Sequence, residues 1–386
     1  MKKILFVLEK GRSLYYGAET SLREYLKELS KDKSIEIHLL VRKSLFIKKE
    51  EINKEINRFF NEIDIKKIYI LPLPFILKGM CDSKEVKQNF SLKKIFADIL
   101  NNIVWTFYSR KKYIEILKYE NYDIIHLNTF GLYKLVTDDK YNFYIHVRGL
   151  IEKTETINKI KSKLKGIIFI DNTVYVAFSK YDLKNKFLIL NNPVNGEQIL
   201  EIQKKEKTEI LNKYNLKENN IIFSLIGRIS SGKGVLYIIN EFNKIKNSDI
   251  KLLIVGDSND LKYKEKCVKA VKNPNIIFTG ATSNIALFYS ITDYVLRGDD
   301  IVGIGRTHLE ALFSGKKIII PGNESFIKKN DILFKHKEQI ITYEVQKENE
   351  LFKIVEKLGK YDYLEPSSNI KEYVSEMLEF YEKTKN

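Results

Sequence analysis

Two short stretches combine glycines with cations in a way that suits a phosphate. The first is Gly227-Arg228-Ile229-Ser230-Ser231-Gly232-Lys233-Gly234, set between the β-branched run 221–226 and an apolar helical stretch. Glycines let backbone N–H groups approach an anion, a helix start adds the positive end of its dipole, and Arg228 and Lys233 contribute fixed charge. A diphosphate is the ligand that chemistry describes, although the spacing is neither Gly-x4-Gly-Lys-Ser/Thr nor Gly-x-Gly-x-x-Gly. The second stretch is Gly303-Ile304-Gly305-Arg306-Thr307-His308-Leu309-Glu310-Ala311. Its glycines precede a helix whose first amides, at Arg306 and Thr307, are open to a phosphate. Glu310, one turn further on, is placed to accept both hydroxyls of a ribose. Either stretch alone is equally a structural turn or a surface helix. Both follow strands of the same predicted domain and point to one edge, which favours a nucleotide diphosphate.

The five histidines sort differently. His146 precedes Arg148 and Gly149 in a stretch that does not read as core, so it is expected to face a cleft, with Arg148 available to an acceptor phosphate. His126 ends an apolar strand, where lining the cleft and satisfied burial both stay open. His38 and His336 read as structural or solvent-exposed, and His308 as packing on its own helix. No two of them have metal-ligand spacing, so no metal is expected. Cys81 and Cys267 share no local redox or zinc spacing and suit a reducing compartment.

The elements that must carry these residues alternate almost from end to end. Short β-branched runs are expected as buried strands at 3–8, 36–41, 67–71, 123–126, 143–147, 166–170, 174–178 and 188–190, then at 221–226, 251–255, 275–278, 294–296 and 317–320. Helical stretches separate them, which is the pattern of βα units on parallel sheets and an α/β fold. The turn cluster Asn191-Asn192-Pro193-Val194-Asn195-Gly196 divides the two series. The expected organisation is a first domain over 1–195, a second over 196–367, and an amphipathic C-terminal helix over 368–386 packing back on the first. Doubly wound domains place ligands at the carboxyl ends of their strands.

The chain has 386 residues, a length suited to two domains that each bury a core, and a formal net charge of +16. Residues 1–200 hold 36 Lys+Arg against 24 Asp+Glu, so most of the excess lies in the first half. No apolar run matches a secretory h-region of roughly 7–15 residues or a span of about 20, so the expectation is a cytoplasmic protein. The first half also contains Trp105 amid apolar residues at 92, 95, 96, 99, 100, 103, 104 and 107, followed by Arg110-Lys111-Lys112. That stripe reads chiefly as a core-facing helix. Aromatics beside cations also mark an interfacial membrane helix, so peripheral contact with an anionic membrane is kept as a partner. Nucleic acid is not, because no recognition module accompanies the charge.

A longer series of motifs resembles a known family. Ile226-Gly227-Arg228, Lys233-Gly234, Leu253-Ile254-Val255-Gly256, Ile277-Phe278-Thr279-Gly280, Tyr289 with Asp293, Gly303-Ile304-Gly305-Arg306-Thr307, Leu309-Glu310-Ala311 and Ser314-Gly315-Lys316 occur in the order seen in the donor domain of family-4 glycosyltransferases of the GT-B fold. Tyr16-Gly17-Ala18-Glu19 looks like that family's N-terminal glycine loop, and Asp123-Ile124-Ile125-His126 and Ile145-His146 look like its histidine-bearing strand ends.

The resemblance implies two Rossmann-like domains facing a cleft and metal-independent, retaining transfer of a sugar from a nucleotide diphosphate, with UDP as the expected carrier and no cofactor. The acceptor it implies is a glycan or lipid-linked molecule of bacterial surface-polysaccharide synthesis. By the same resemblance, Arg228 and Lys233 neutralise the leaving diphosphate, Glu310 holds the ribose, Arg306 and Thr307 complete the phosphate nest with Gly227, Gly303 and Gly305, Gly17 approaches the diphosphate, and His146 contacts the donor sugar or the reacting centre. One position departs. The family commonly has a glutamate eight residues before the second one, and here Val302 stands there. Asp300, favoured over Asp299, is the carboxylate expected to replace it. Altered sugar recognition, a catalytically silent sugar-nucleotide-binding subunit and a GT-B sugar-nucleotide epimerase remain the alternatives.

Overall fold

The computed structural model describes residues 1–9, 17–43, 47–74, 99–151, 153–184, 186–199, 201–282, 284–298, 304–345, 347 and 349–385. The chain divides into two compact units. One takes the described residues up to Pro193 together with those from Asn369 onward, and the other spans Val194–Ser368.

The described residues of the first unit form seven strands: β1 (Lys2–Leu8), β2 (Ile35–Arg42), β3 (Ile65–Leu71), β4 (Ile124–Leu127), β5 (Phe143–Val147), β6 (Leu164–Phe169) and β7 (Phe187–Ile189). They form one parallel sheet in the order β3-β2-β1-β4-β5-β6-β7. Parallel strands need both faces covered, which explains unbroken apolar runs in place of alternation. In β1, Ile4, Leu5, Phe6, Val7 and Leu8 are all fully buried, each worth about 1.5–3 kcal/mol relative to exposure. The run at 174–178, expected as a strand, instead takes up the end of a short helix, Asn172–Val176, and the turn that follows. The Asp171 carboxylate accepts the Val174 N–H and caps it, a local bond that outweighs the β-propensity of two valines.

The C-terminal helix Ile370–Lys385 belongs to this unit and buries Ile370, Tyr373, Met377, Phe380 and Tyr381. Tyr373 packs edge-on to Tyr25 of the helix Gly17–Leu29, with ring centroids 5.3 Å apart. Gly166 of β6 admits Phe380, since a Cβ there would lie 2.6 Å from its ring. Lys2 pairs with Glu382, and Lys385 with Asp123 at 2.8 Å.

The described residues of the second unit form six strands: β8 (Ile221–Ile226), β9 (Ile250–Val255), β10 (Ile276–Gly280), β11 (Tyr294–Leu296), β12 (Lys317–Pro321) and β13 (Ile340–Tyr343). Their order is β10-β9-β8-β11-β12-β13, again parallel throughout. Helices Val235–Phe242, Leu261–Ala270, Ile285–Ile291 and Arg306–Phe313 connect them. Asp260 and Asn284 cap two of these by accepting the N–H three residues on. Sequence reading missed β13, a short edge strand of four residues.

Candidate functional site

In the second unit the two glycine-cation stretches begin from neighbouring strands. β8 and β11 pair in parallel, Tyr294 beside Phe223 and Val295 beside Ser224, so their carboxyl ends emerge together. One continues into Gly227-Arg228 and the other into Arg297-Gly298. The turns touch backbone to backbone. Gly234 has a φ of +61°, and a Cβ there would sit 1.8 Å from the carbonyl oxygen of Gly298. Gly256, at the end of β9 with a φ of +142°, approaches the Gly227 carbonyl as closely, a Cβ meeting it at 1.9 Å. Only glycine provides this conformation and this approach together.

Arg228 and Lys233 lie exposed on this edge. The helix Val235–Phe242 starts at Gly234 and the helix Arg306–Phe313 at Gly305, neither with a side-chain cap, so their first amides are not claimed by a capping residue. His308 sits buried in the first turn of the second helix. Burial first, then the charges of Arg297 and Lys233, hold its imidazole well below its ordinary titration range. It is therefore neutral near pH 7, and the same two cations make this edge electropositive.

Glu310 is held from two sides. Its carboxylate accepts the Tyr289 hydroxyl at 2.8 Å on one oxygen and the Arg306 Nε–H at 2.8 Å on the other. The Tyr289 hydroxyl also lies 3.0 Å from the Thr307 carbonyl. Burial, and after it the Glu310 charge, push the Tyr289 phenol well above its ordinary value, so it remains a neutral donor. A carboxylate fixed in this way presents its remaining lone pairs in one direction, as capture of a diol requires. Arg306 thus contributes a side chain to Glu310 beyond the backbone amide foreseen for it, and Thr307 lies on the same turn. Gly303, Asp300, Asp299 and Val302 lie outside the described residues.

The first unit brings its expected site residues to the carboxyl edge of its own sheet. Gly17 opens the helix Gly17–Leu29, and the Asn128 amide donates to the Ala18 carbonyl at 3.4 Å. Arg148 donates to the Asn128 side-chain oxygen at 2.8 Å and to that of Asn192 at 2.9 Å. Arg148 and the Ala18 carbonyl, next to Gly17, are therefore linked through Asn128, which sequence reading did not single out.

His146 is placed otherwise than expected. It lies within β5, a strand flanked on both sides, and has no exposed surface, as has Val147 beside it. Neither of its ring nitrogens meets a hydrogen-bond partner among the described residues. Its ring packs edge-on to His126 at 5.5 Å, and His126 shares a 2.7 Å hydrogen bond with Tyr381 of the C-terminal helix. Burial, followed by Arg148 and the histidine neighbour, keeps His146 well below its ordinary range, and burial and Arg148 do the same to His126. Of the stretch 147–150 read as outside the core, Val147 is buried as the last residue of β5 while Arg148, Gly149 and Leu150 are half-buried, so a parallel strand flanked on both sides stays covered to its last residue.

Among the described residues no group of three or more His, Cys, Asp or Glu side chains is arranged to hold a metal ion. None of their helices is long and apolar enough to cross a membrane.

Two parallel-sheet Rossmann-like units, the second with a glycine-cation edge, are the architecture of the GT-B fold. Residues 206–344, within the second unit, match the family described as glycosyl transferases group 1. A curated relative, alpha-monoglucosyldiacylglycerol synthase of Streptococcus pneumoniae (strain ATCC BAA-255 / R6), is 25% identical over 242 residues, covering 55% of this chain and 54% of that protein. The chain thus spans about half the length of the curated relative it matches. Among solved structures, a glycosyltransferase from Rickettsia africae ESF-5 superposes with a TM-score of 0.66 at 19% identity, over 99% of this chain and 98% of that one. Anabaena HepE in complex with UDP gives 0.64 at 14% identity, over 92% and 89%. At these identities the structural likeness concerns the fold.

Proposed function

We propose that the protein is a retaining glycosyltransferase that moves a sugar from a nucleotide diphosphate, UDP in the first instance, to a glycan or lipid-linked acceptor of the bacterial cell surface. The observation that carries this reading is the edge shared by β8 and β11. Arg228 and Lys233 follow β8, and the helix reached from β11 carries a Glu310 carboxylate fixed by Tyr289 and Arg306, inside the segment that matches glycosyl transferases group 1. UDP bound in the Anabaena neighbour and the glycolipid product named for the Streptococcus relative support the donor and acceptor classes.

In this reading Glu310 takes the ribose hydroxyls, and the amides of Arg306 and Thr307, with those around Gly227 and Gly305, take the phosphates. The bond between the sugar C1 and the β-phosphate oxygen breaks with its electron pair moving to that oxygen. Arg228 and Lys233 stabilise the growing negative charge, the task a metal ion performs in other transferases, and no cofactor takes part. The acceptor hydroxyl oxygen bonds to C1 on the same face while its proton passes to the departing phosphate oxygen, so no separate protein base is needed. Arg148, held by Asn128 and Asn192, serves acceptor or phosphate from the first unit together with Gly17. His146, being buried and neutral, acts by shaping β5 beneath Arg148, and Asp300 supplies the sugar-binding carboxylate. The reaction takes place in the cytoplasm, at the inner face of the membrane where lipid-linked acceptors are presented.

The test is UDP release from a panel of UDP-sugars incubated with bacterial lipid extracts. Acceptor-dependent release with retention at the transferred carbon is the expected result. Tight UDP binding without turnover on any donor would favour the silent subunit instead.

A further inference from the structure

The helical stretch 99–120 of the first unit is turned inside out relative to its sequence. Its buried side is set at every fourth residue by Asn101, Trp105, Ser109, Tyr113 and Leu117. Its solvent side carries Ile99, 53% exposed, with Ile103, Phe107 at 83% and Tyr108. The Asn101 amide and the Ser109 hydroxyl are buried and find no hydrogen-bond partner among the described residues. A helix that faced only water would have the opposite arrangement. The expectation of a core-facing apolar stripe is corrected accordingly. A π turn at Trp105–Ser109 sits in the middle of the stretch, adding a residue to the turn so that Trp105 and Ser109 both point inward and Phe107 and Tyr108 outward.

The next two turns are cationic. Arg110, Lys111, Lys112 and Lys118 are all exposed, while of the two carboxylates Glu115 alone faces solvent. Glu120 is buried against Lys3, Lys67 and Tyr69. The Lys112 ammonium stands 4.5 Å from the centre of the Tyr108 ring, so aromatic and cationic groups share one rim.

We propose that this face docks onto an anionic lipid bilayer, with Ile99, Ile103 and Phe107 entering the headgroup and acyl boundary and Arg110, Lys111 and Lys112 engaging lipid phosphates. Charge decides the occupant. A second copy would set like charges against each other, whereas an anionic surface neutralises them and removes the apolar side chains from water. The inference rests on the first unit's surface alone and stands apart from the donor reading of the second unit.

The experiment is co-sedimentation of the full chain with vesicles of phosphatidylglycerol and phosphatidylcholine, compared with phosphatidylcholine alone. The expected result is capture by the anionic vesicles that weakens as salt is raised, with UDP affinity unaffected by the vesicles. Lys111→Glu with Lys112→Glu, and separately Ile103→Ser with Phe107→Ser, should each lower capture by about tenfold or more. Lys205→Glu, on an exposed helix of the second unit, should change it little. Trp105, the chain's one tryptophan, lies on the buried side, and its unchanged emission confirms that the variants fold. Absence of capture by anionic vesicles would overturn the proposal. So would capture that neither pair of substitutions reduces, or a dimer that Ile103→Ser with Phe107→Ser dissociates without any vesicle binding.

Discussion

The first sheet, β3-β2-β1-β4-β5-β6-β7, and the second, β10-β9-β8-β11-β12-β13, follow the same winding: two strands run outward in one direction from a central one and the rest run outward in the other from the strand beside it. Each therefore has a switch point, between β1 and β4 in the first and between β8 and β11 in the second, where open parallel sheets place ligands. What lies at the two points differs. In the second unit the edge is glycine backbone and exposed cations, with Gly234 against Gly298, Gly256 against Gly227, and Arg228 and Lys233 reaching outward. In the first the cation is tied down, Arg148 between Asn128 and Asn192 with buried His126 and His146 beneath. A phosphate site needs main chain that comes close and charge at its edge. A platform for a second substrate needs its side chains fixed in place. One topology supplies either, according to whether glycines or amides stand at the strand ends.

The largest expected effect falls on the open edge. Arg228→Ala or Lys233→Ala should slow sugar transfer by about 10²-fold or more if each stabilises leaving-group charge, measured as UDP release, with thermal melting unchanged. Near-normal turnover in both would remove the assignment. Next comes Gly234→Ala. Its left-handed backbone and the Gly298 carbonyl at 1.8 Å leave no room for a methyl group, so a loss of more than about 1 kcal/mol is expected in denaturant unfolding. The corresponding change at Gly149, where nothing lies within 4 Å of a Cβ, should be far milder.

Smaller is Tyr289→Phe. It deletes one of the two donors to Glu310, a charged hydrogen bond worth about 1.5–3 kcal/mol. Because Glu310 is assigned to the ribose, the preference for UDP over 2′-deoxy-UDP should shrink by about tenfold, whereas a purely structural role for Tyr289 would lower melting and leave that preference alone.

The smallest effect concerns pH. His126 and His146 titrate well below their ordinary range when folded, and His38 is lowered too, by burial above all. Unfolded histidines take up protons near pH 6.5, so below that value the unfolded chain binds more protons than the folded one. Stability then falls as pH falls, by at most about 1.4 kcal/mol per pH unit per histidine. The first unit should lose hydrogen-exchange protection between pH 6.5 and 5 faster than the second, which has His308 alone in this class. Equal acid sensitivity in the two units would blunt the comparison.

Much of this was legible in the residues. β-branched runs gave most strand positions, because buried parallel strands tolerate little else, and the glycine-cation turns stood out because both follow strands of one domain and point to one edge. The illegible parts depended on partners far away in sequence. Asn128 and Asn192 matter through Arg148, and Tyr289 through Glu310. Arg297 had a sequence signal that went unused, since it follows a strand and precedes Gly298 much as Arg228 follows β8. The helical stretch 99–120 misled because an apolar stripe does not say which side of a helix the core will claim, and a π turn resets that choice. His146 misled because a strand end was equated with an open edge.

The central claim is that the second unit's edge grips a nucleotide diphosphate through Arg228 and Lys233. Its most direct test is calorimetric titration of the full chain with UDP and with UMP, repeated on the Arg228→Ala, Lys233→Ala double variant. The account predicts that UDP binds the native chain more tightly than UMP and that the difference collapses in the variant while UMP binding persists. An unchanged gap between UDP and UMP in the double variant would contradict it.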